Sequence, residues 1–356
     1  MSPARIAVVG AGWWSANHHL PSLAQYDGAA LVAVCDPVRE RAEEVATDHD
    51  VPEVVTDVED LLGLRLDGVV VATPHDTHHA IAGRLLDAGI AVLVEKPLTT
   101  TTADAVDLVR RAERAGVPLA VGYTDQYTAT SALVRNAVQG EIGELVQVMA
   151  EFSSSTAGLF AQAEDAEQAA GEGAEPAEDA EPEDQHPGTY SADHGGGQAH
   201  TQLTHVMGMV CWVTGREVAE VAAMVDQRGL EADVDDAAVI RFLHGGAGVV
   251  TSTGMAGEAN GERHHVRYLG TRGTVDQDML GDRAWLRRGD GSTVELTGGQ
   301  EDVPRTWLPA RRFADLTVGR ATNPAPGRSA AAAVACIEAL LTSAETRQFV
   351  TVSRLP

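Results

Sequence analysis

Short apolar runs alternate with longer helix-like segments over the first 123 residues of the chain. The apolar runs are at residues 5–9, 31–35, 68–72, 90–94 and 117–122. Strands that are apolar at every position are typical of a parallel sheet with helices on both faces. The helix-like segments between them are at residues 37–47, 77–88 and 102–115. The pattern therefore predicts successive βαβ units and an α/β domain with a parallel sheet over residues 1–123.

After residue 123 the pattern changes to strands that are separated by Gly-rich turns. Helices are predicted at residues 129–139, 197–213 and 328–343. Strands are predicted at residues 145–152, 217–226, 236–243, 247–254, 264–269, 283–288, 293–297 and 348–353. Strands that follow one another through short glycine turns favour antiparallel pairing. Residues 124–356 are therefore expected to form a second domain around an antiparallel sheet.

One segment, residues 161–188, interrupts the second domain. It consists mainly of Ala, Glu, Asp, Gly and Pro, and ten acidic residues fall between residues 164 and 184. A segment with so few large apolar side chains cannot bury enough surface to offset the entropy lost on ordering. We therefore expect a disordered acidic insertion here.

Composition narrows the class of protein. A length of 356 residues fits two domains, and a formal charge of −26 argues against nucleic acid or an anionic membrane as a partner. No run of about 18 apolar residues is present, and a strand begins too early for a signal peptide to precede it, so we expect a cytoplasmic protein. The cysteines Cys35, Cys211 and Cys336 stand apart, without the spacing of a disulfide framework or a metal site.

Lysine is almost absent from the sequence. Lys96 is the only lysine, and the other 25 basic residues are arginine. This bias draws attention to the one position where a lysine is kept.

A glycine-rich turn follows the first predicted strand. Gly10 and Gly12 precede a predicted helix, with Ser15 in the place of a third glycine. In a dinucleotide fingerprint the first glycine permits a tight turn and the second lets the backbone approach the pyrophosphate at the helix N-terminus. The third glycine serves close helix packing, so a small serine is tolerable there.

Asp36 strengthens this interpretation. It ends the second predicted strand, 21 residues after Ser15, where a carboxylate can accept hydrogen bonds from ribose hydroxyls. The same carboxylate can also cap the helix that begins after Pro37, and the two roles are compatible. A carboxylate here favours NAD over NADP, although Arg39 and Arg41 lie close enough to bind a 2′-phosphate.

Two further segments follow the third and fourth strands. Ala72-Thr73-Pro74-His75-Asp76-Thr77-His78 comes after one, and Val94-Glu95-Lys96-Pro97-Leu98 after the other. Together with the fingerprint, the stretch 140–146, the Gly-Gly-Gly helix at 195–213 and Val234-Asp235-Asp236-Ala237, they resemble the Gfo/Idh/MocA family nearly end to end.

This resemblance implies a Rossmann domain followed by an α/β domain whose large, mostly antiparallel sheet forms one wall of the active site. It also implies NAD, less readily NADP, and a sugar, cyclitol or related polyol as substrate. Lys96 is then the catalytic residue that exchanges a proton with a carbinol hydroxyl. The residues implied to line the nicotinamide side are Thr73, Pro74, His75, His78 and Glu95.

The resemblance also places an aspartate and a histidine four residues apart on the helix after the triple glycine. Here Thr201 holds the aspartate position and His205 is kept. A threonine hydroxyl can orient an imidazole but supplies no charge, so we expect His205 to assist Lys96 as a neutral imidazole that contacts substrate. A buried structural histidine is the alternative.

For four other positions the resemblance leaves two possible roles open. Tyr123 and Gln126 follow the last Rossmann strand and either contact substrate or pack at the domain junction. Trp13 and Trp14 either cover the cofactor or shape the mouth of the pocket.

The expected function is an NAD(P)-dependent dehydrogenase or reductase, and two alternatives stay open at this point. Some relatives are glycosidases that use bound NAD without net redox change, and one is a cofactor-binding transcriptional regulator, which the presence of Lys96 and His205 disfavours. The resemblance also implies a homodimer or homotetramer that forms through the sheet of the second domain.

Overall fold

A computed structural model describes residues 2–171, 187–257, 261–299 and 301–355. The first domain is built on a six-stranded parallel sheet with the order β3-β2-β1-β4-β5-β6. Its strands are β1 (Ala4–Val9), β2 (Ala29–Cys35), β3 (Glu53–Val55), β4 (Gly68–Val71), β5 (Ala91–Val94) and β6 (Leu119–Val121). The predicted doubly wound α/β fold is confirmed, with β3 as an additional short edge strand.

Helices cover both faces of this sheet. They are α1 (Leu20–Ala24), α2 (Arg39–Asp48), α3 (Val58–Leu61), α4 (His78–Asp87) and α5 (Thr102–Ala115). A π-helical turn, Ser15–His19, leads into α1. The Thr101 hydroxyl accepts a hydrogen bond from the Asp104 N–H and caps α5, which ends at Gly116 in the left-handed conformation.

The second domain contains a nine-stranded sheet with the order β14-β13-β12-β11-β7-β10-β9-β8-β15. Its strands are β7 (Leu145–Ser153), β8 (Val218–Asp226), β9 (Asp235–Phe242), β10 (Ala247–Thr253), β11 (Arg263–Gly270), β12 (Gly273–Asp278), β13 (Arg283–Arg288), β14 (Thr293–Leu296) and β15 (Val350–Thr351). All neighbours pair antiparallel except β7 and β10. The expected large, mostly antiparallel sheet is confirmed.

The helices of this domain pack on one face of its sheet and at the junction with the first domain. They are α6 (Ala129–Gly140), α7 (Ala157–Gly171), α8 (Pro187–Tyr190), α9 (Thr204–Thr214), α10 (Leu308–Thr317) and α11 (Gly327–Thr346). A second π-helical turn, Ala199–Leu203, leads into α9. None of the helices in the described residues is both long and apolar enough to cross a bilayer.

Helix α10 returns to the first domain. Its residues Leu308 and Phe313 are buried with Ile6 and Val70 in one hydrophobic cluster on the Rossmann sheet. A methyl group added at Gly68 of β4 would lie 2.8 Å from the Phe313 ring, so the helix approaches the strand very closely. The sequence did not predict α10.

The acidic insertion differs in part from the prediction. Residues 161–171, expected to be disordered, continue helix α7, and Ala163 is buried near Phe160. Alanine, glutamate and glutamine are strong helix formers, so local propensity overrides the low apolar content here. Residues 172–186 lie outside the described residues.

Candidate active site

The carboxyl ends of β1, β2, β4 and β5 meet at one edge of the Rossmann sheet, where crevices of such sheets bind ligands. Gly10 forms the first turn at this edge with a φ of +95°. A Cβ at this position would lie 2.2 Å from the carbonyl oxygen of Ala72. Only glycine fits here, and the main chain is left bare where a pyrophosphate would bind. Ser15, in place of the third glycine, is completely buried.

Asp36 lies beside this turn. Its Oδ2 accepts a hydrogen bond from the Ala11 N–H at 2.9 Å, and its Oδ1 accepts one from the Val38 N–H at 2.9 Å. The carboxylate therefore caps the chain after β2 and also holds the glycine turn. Arg41 Nη1 lies 4.0 Å from Asp36 Oδ1. Each carboxylate oxygen retains a lone pair for a ribose hydroxyl.

Glu95 sits at the end of β5 and is buried. Its Oε1 accepts hydrogen bonds from Trp14 Nε1 at 3.1 Å and lies 2.9 Å from His19 Nε2. Its Oε2 accepts the Lys96 main-chain N–H at 3.1 Å. Burial raises the pKa of the Glu95 carboxyl, but the hydrogen bond and charge of His19, with Lys96, outweigh burial and lower it. Glu95 is therefore a fixed negative charge behind Lys96.

Lys96 reaches across to the second domain. Its Nζ donates a hydrogen bond to the main-chain carbonyl of Thr201 at 2.7 Å. Burial lowers the pKa of Lys96 to about 8, although the charge of Glu95 opposes this shift. An amine with such a pKa can bind and release a proton near neutral pH, as a general acid or base must. The peptide bond between Lys96 and Pro97 is cis.

His205 and His75 are two neutral imidazoles near Lys96. Burial, followed by the charges of Lys96 and His264, lowers the pKa of His205 well below its usual range. Burial, followed by the charges of His78 and Lys96, does the same for His75, whose Nδ1 lies 3.0 Å from the Gly195 carbonyl oxygen. The direction of the shift favours the neutral imidazole, and the role of His205 toward a substrate stays a prediction.

Thr201 acts differently from the expectation. Its hydroxyl donates to the Gly197 carbonyl at 2.7 Å and is thereby committed to its own turn. The group that Thr201 directs into the site is its main-chain carbonyl. Sequence comparison of side chains does not reveal this, because a backbone carbonyl is present at every residue.

His78 is completely buried and does not line the cleft as expected. Its Nδ1 lies 2.9 Å from the Pro97 carbonyl oxygen, and its Nε2 lies 2.9 Å from that of Thr73. The imidazole therefore joins the loop after β4 to the loop that follows Lys96. The Thr73 hydroxyl pairs with that of Thr77, and Pro74 precedes a short 3-10 turn, His75–Thr77.

Tyr123 and Gln126 are both only 2% exposed. The Tyr123 hydroxyl pairs with the Thr204 hydroxyl at 2.8 Å, and Gln126 Nε2 donates to the Gly208 carbonyl at 3.1 Å. Both residues hold helix α9 against the last Rossmann strand. The geometry favours packing at the domain junction over substrate contact.

Trp13 and Trp14 have different surroundings. Trp14 is held by Glu95, and its ring lies 4.2 Å from that of His18. Trp13 is 44% exposed, with its ring 6.1 Å from that of Trp14. Trp13 therefore lies at the surface beside the glycine turn, and Trp14 packs beneath the carboxyl edge of the sheet, where it holds Glu95.

Several residues of the site were not predicted from the sequence. His19 engages Glu95 through a π-helical turn that no periodicity indicates. On the sheet wall, the Phe152 ring stacks on that of His264 at 3.7 Å and lies nearly parallel to that of His205 at 5.5 Å. Residues 152 and 264 are direct neighbours across β7 and β11, a pairing that the strand pattern alone does not fix.

Two family models match the chain. Residues 4–123 match the model described as "Oxidoreductase family, NAD-binding Rossmann fold" of GFO/IDH/MocA, and residues 131–276 match the GFO/IDH/MocA C-terminal domain. Together the two models cover most of the chain.

Curated relatives align with part of the chain. D-apiose dehydrogenase of Paraburkholderia graminis is 36% identical over 116 residues, 32% of this chain and 31% of that protein. Inositol 2-dehydrogenase 2 of Mycolicibacterium vanbaalenii is 35% identical over 150 residues, 40% of this chain and 43% of that protein. The aligned regions thus span less than half the length of these relatives.

The whole fold matches solved structures. Levoglucosan dehydrogenase in complex with NADH and levoglucosan superposes with a TM-score of 0.77 at 18% identity, covering 99% of this chain and 100% of that one. At this identity the likeness establishes the fold of both domains.

Proposed function

The chain belongs to the Gfo/Idh/MocA oxidoreductase family, and on that premise we propose that it is an NAD-dependent dehydrogenase or reductase. Its substrate would be a sugar, cyclitol or related polyol with a carbinol or ketone carbon. The observation that carries this proposal is Lys96, a partly buried amine with a pKa lowered to about 8, at the carboxyl end of β5.

The residues of the Rossmann edge fit a dinucleotide. Gly10 leaves the main chain open at the turn, and Asp36 holds that turn while keeping lone pairs for ribose hydroxyls. A nicotinamide, when bound, supplies or accepts the hydride. The protein must then place the substrate hydroxyl and manage its proton.

Lys96 is assigned the proton transfer. In the oxidising direction the neutral amine accepts the proton of the carbinol hydroxyl, and in the reducing direction the ammonium returns it. His205, neutral because of its burial, donates or accepts one hydrogen bond to the same oxygen. Glu95 holds a compensating charge behind Lys96 in both states.

The test of function is a screen of sugars, inositols and aminocyclitols with NAD and NADP, followed by the absorbance of the reduced nicotinamide. Absorbance change with at least one polyol supports the proposal. Release of aglycone from glycosides without any change in added cofactor would overturn it in favour of a glycosidase.

The chain should prefer NADH to NADPH. The Asp36 carboxylate repels a 2′-phosphate and accepts hydrogen bonds from free ribose hydroxyls. Asp36→Ser removes this charge and leaves Arg41, now 4.0 Å from the carboxylate, available to a phosphate. We expect the ratio of the NADPH to the NADH dissociation constant to fall by about tenfold or more, since a hydrogen bond to a charged group contributes ~1.5–3 kcal/mol. Fluorescence titration of both cofactors measures it, and NADPH binding as tightly as NADH to the unchanged protein contradicts it.

A second copy of the chain is the expected partner of the sheet of the second domain. Val239, Val249 and Met149 are direct neighbours across β9, β10 and β7. They are 50%, 38% and 48% exposed, on the face opposite the buried residues of these strands. Such a continuous exposed apolar row is typical of an interface.

Val239→Arg should therefore convert the oligomer into a smaller species, measured by light scattering after gel filtration. Leu133→Arg, which changes an exposed leucine on helix α6, is the matched control and should leave the mass unchanged. A monomeric unchanged protein at micromolar concentration would refute the interface.

A further inference from the structure

The turn that carries Thr201 is wider than an ordinary helical turn. Residues Ala199–Leu203 form a π-helical turn, in which the Thr204 N–H reaches back to the Ala199 carbonyl. Such turns replace the regular i to i−4 ladder and are frequent at functional sites. In this turn the carbonyl of Thr201 meets Lys96 Nζ at 2.7 Å.

The side chain of Thr201 holds this turn in place. Both its hydroxyl and its main-chain N–H donate to the Gly197 carbonyl, at 2.7 Å and 2.9 Å. The side chain is buried and uncharged. Residue 201 therefore meets Lys96 with the dipole of its main-chain carbonyl, and its side chain adds no charge.

Asp233, in the loop before β9, supports the turn. Its Oδ2 accepts the Ala199 N–H at 2.6 Å, and its main-chain carbonyl accepts the Gln198 N–H at 2.8 Å. A Cβ at Gly197, whose φ is +96°, would lie 2.1 Å from Asp233 Oδ1. The position of the Thr201 carbonyl is thus fixed by contacts on two sides.

Other groups face Lys96 from the elements around it. Glu95, on β5, is the negative one, and its carboxylate is engaged by Trp14 and His19. His75, after β4, and His205, on α9, both have pKa values lowered by burial and are neutral at working pH. On the turn itself, the Asp233 carboxylate and the neighbouring His200 also carry titratable groups, and burial raises the pKa of Asp233 and lowers that of His200.

We propose that residue 201 is a positioning residue that sets the proton affinity of Lys96. Its main-chain carbonyl anchors Nζ, and its uncharged side chain keeps a carboxylate away from the amine. The amine is thereby held in place without being locked in its protonated form. The consequence for turnover rests on the proposed function, but the effect on Lys96 does not.

The chain offers a direct test, because Lys96 is its only lysine. Protein labelled with 13C at the lysine ε-carbon gives one side-chain lysine signal in NMR, and its titration reports the pKa of Lys96 without substrate or cofactor. Thr201→Asp should raise this pKa by about one unit or more, because an opposite charge within ~4–6 Å favours the charged form. Gln202→Glu adds the same charge to the neighbouring residue of the turn and should raise it much less.

A second pair of variants tests the anchor without adding charge. Thr201→Ser keeps the hydroxyl bond to Gly197 and should leave the pKa of Lys96 unchanged. Thr201→Val loses one of the two hydrogen bonds to Gly197 and so loosens the carbonyl. It should lower the pKa of Lys96 by about half a unit or more, since a hydrogen bond to the charged form favours that form.

The inference is overturned if Lys96 has the same pKa in Thr201→Val as in the unchanged protein. It is also overturned if Gln202→Glu shifts the pKa of Lys96 as far as Thr201→Asp does. These results are independent of the polyol screen. A failed screen with the expected titrations would refute the proposed function alone, and active enzyme with unshifted titrations would refute this inference alone.

Discussion

Lys96→Ala is expected to lower kcat by about 10²- to 10⁴-fold, the usual range for loss of a positioned proton-transfer group. The affinity for NADH should stay close to that of the unchanged protein, because the groups assigned to the dinucleotide lie at Gly10 and Asp36. In the oxidising direction the rate of the unchanged enzyme should rise with pH through about 8, the pKa of Lys96, as the amine loses its proton. This limb should vanish in the variant. Steady-state kinetics on the substrate found by the screen, together with NADH titration, measures both effects.

Lys96→Arg is the matched control for charge. An arginine keeps the positive charge but stays protonated throughout the working range, so it should not restore turnover. His205→Asn keeps a hydrogen-bonding side chain and should cost less than Lys96→Ala. If His205→Asn costs more and removes the pH limb, His205 is the principal base and the two roles are reversed.

Gly10→Ala is expected to destabilise the fold and to weaken cofactor binding together. The added Cβ would lie 2.2 Å from the Ala72 carbonyl oxygen, at a φ of +95°. Strain and overpacking of this kind each cost about 1–3 kcal/mol. The shifted turn should also reduce NADH affinity by about tenfold or more, since hydrogen bonds to a charged group contribute ~1.5–3 kcal/mol. Chemical denaturation and NADH fluorescence titration measure the two effects.

Gly89→Ala separates backbone strain from crowding. Gly89 has a φ of +77°, and a Cβ there would meet nothing within 4 Å. Its substitution should cost only the left-handed penalty of about 1–2 kcal/mol and leave NADH affinity unchanged. Equal losses of stability and affinity in the two variants would show that the Ala72 contact is unimportant.

The layout of the first domain was predictable because its strands are buried on both faces. Continuous apolar runs mark β1, β2, β4, β5 and β6 directly. Strand β12 escaped prediction because Asp276 and Gln277 are polar yet buried, which interrupts any apolar pattern. Helix α10 is a short amphipathic segment. Its sequence shows which face is apolar but not which distant part of the chain that face packs against, and the helix was therefore missed.

The sequence predicted those parts of the site that consist of side chains belonging to motifs. Lys96, Glu95, Gly10 and Asp36 lie just after the strands that the motifs follow, and their roles stay predictions. The partners of these residues were not predictable, since Thr201 contributes a backbone carbonyl and His19 acts through a π-helical turn. The same holds for His78. The motif identifies the residue, but it does not show whether the ring lines a cleft or joins two loops.

The return of helix α10 to the Rossmann sheet bears on how the protein is made. Ribosomes synthesise a chain from its N-terminus, and domains generally fold as they emerge from the ribosome. The first domain cannot complete its core in this way, because Leu308 and Phe313 belong to it. A nascent chain of 123 residues would expose the face of β4 that Phe313 covers. The apolar surface around Gly68 therefore stays uncovered until helix α10 has been synthesised, so the core of the first domain closes only late in synthesis.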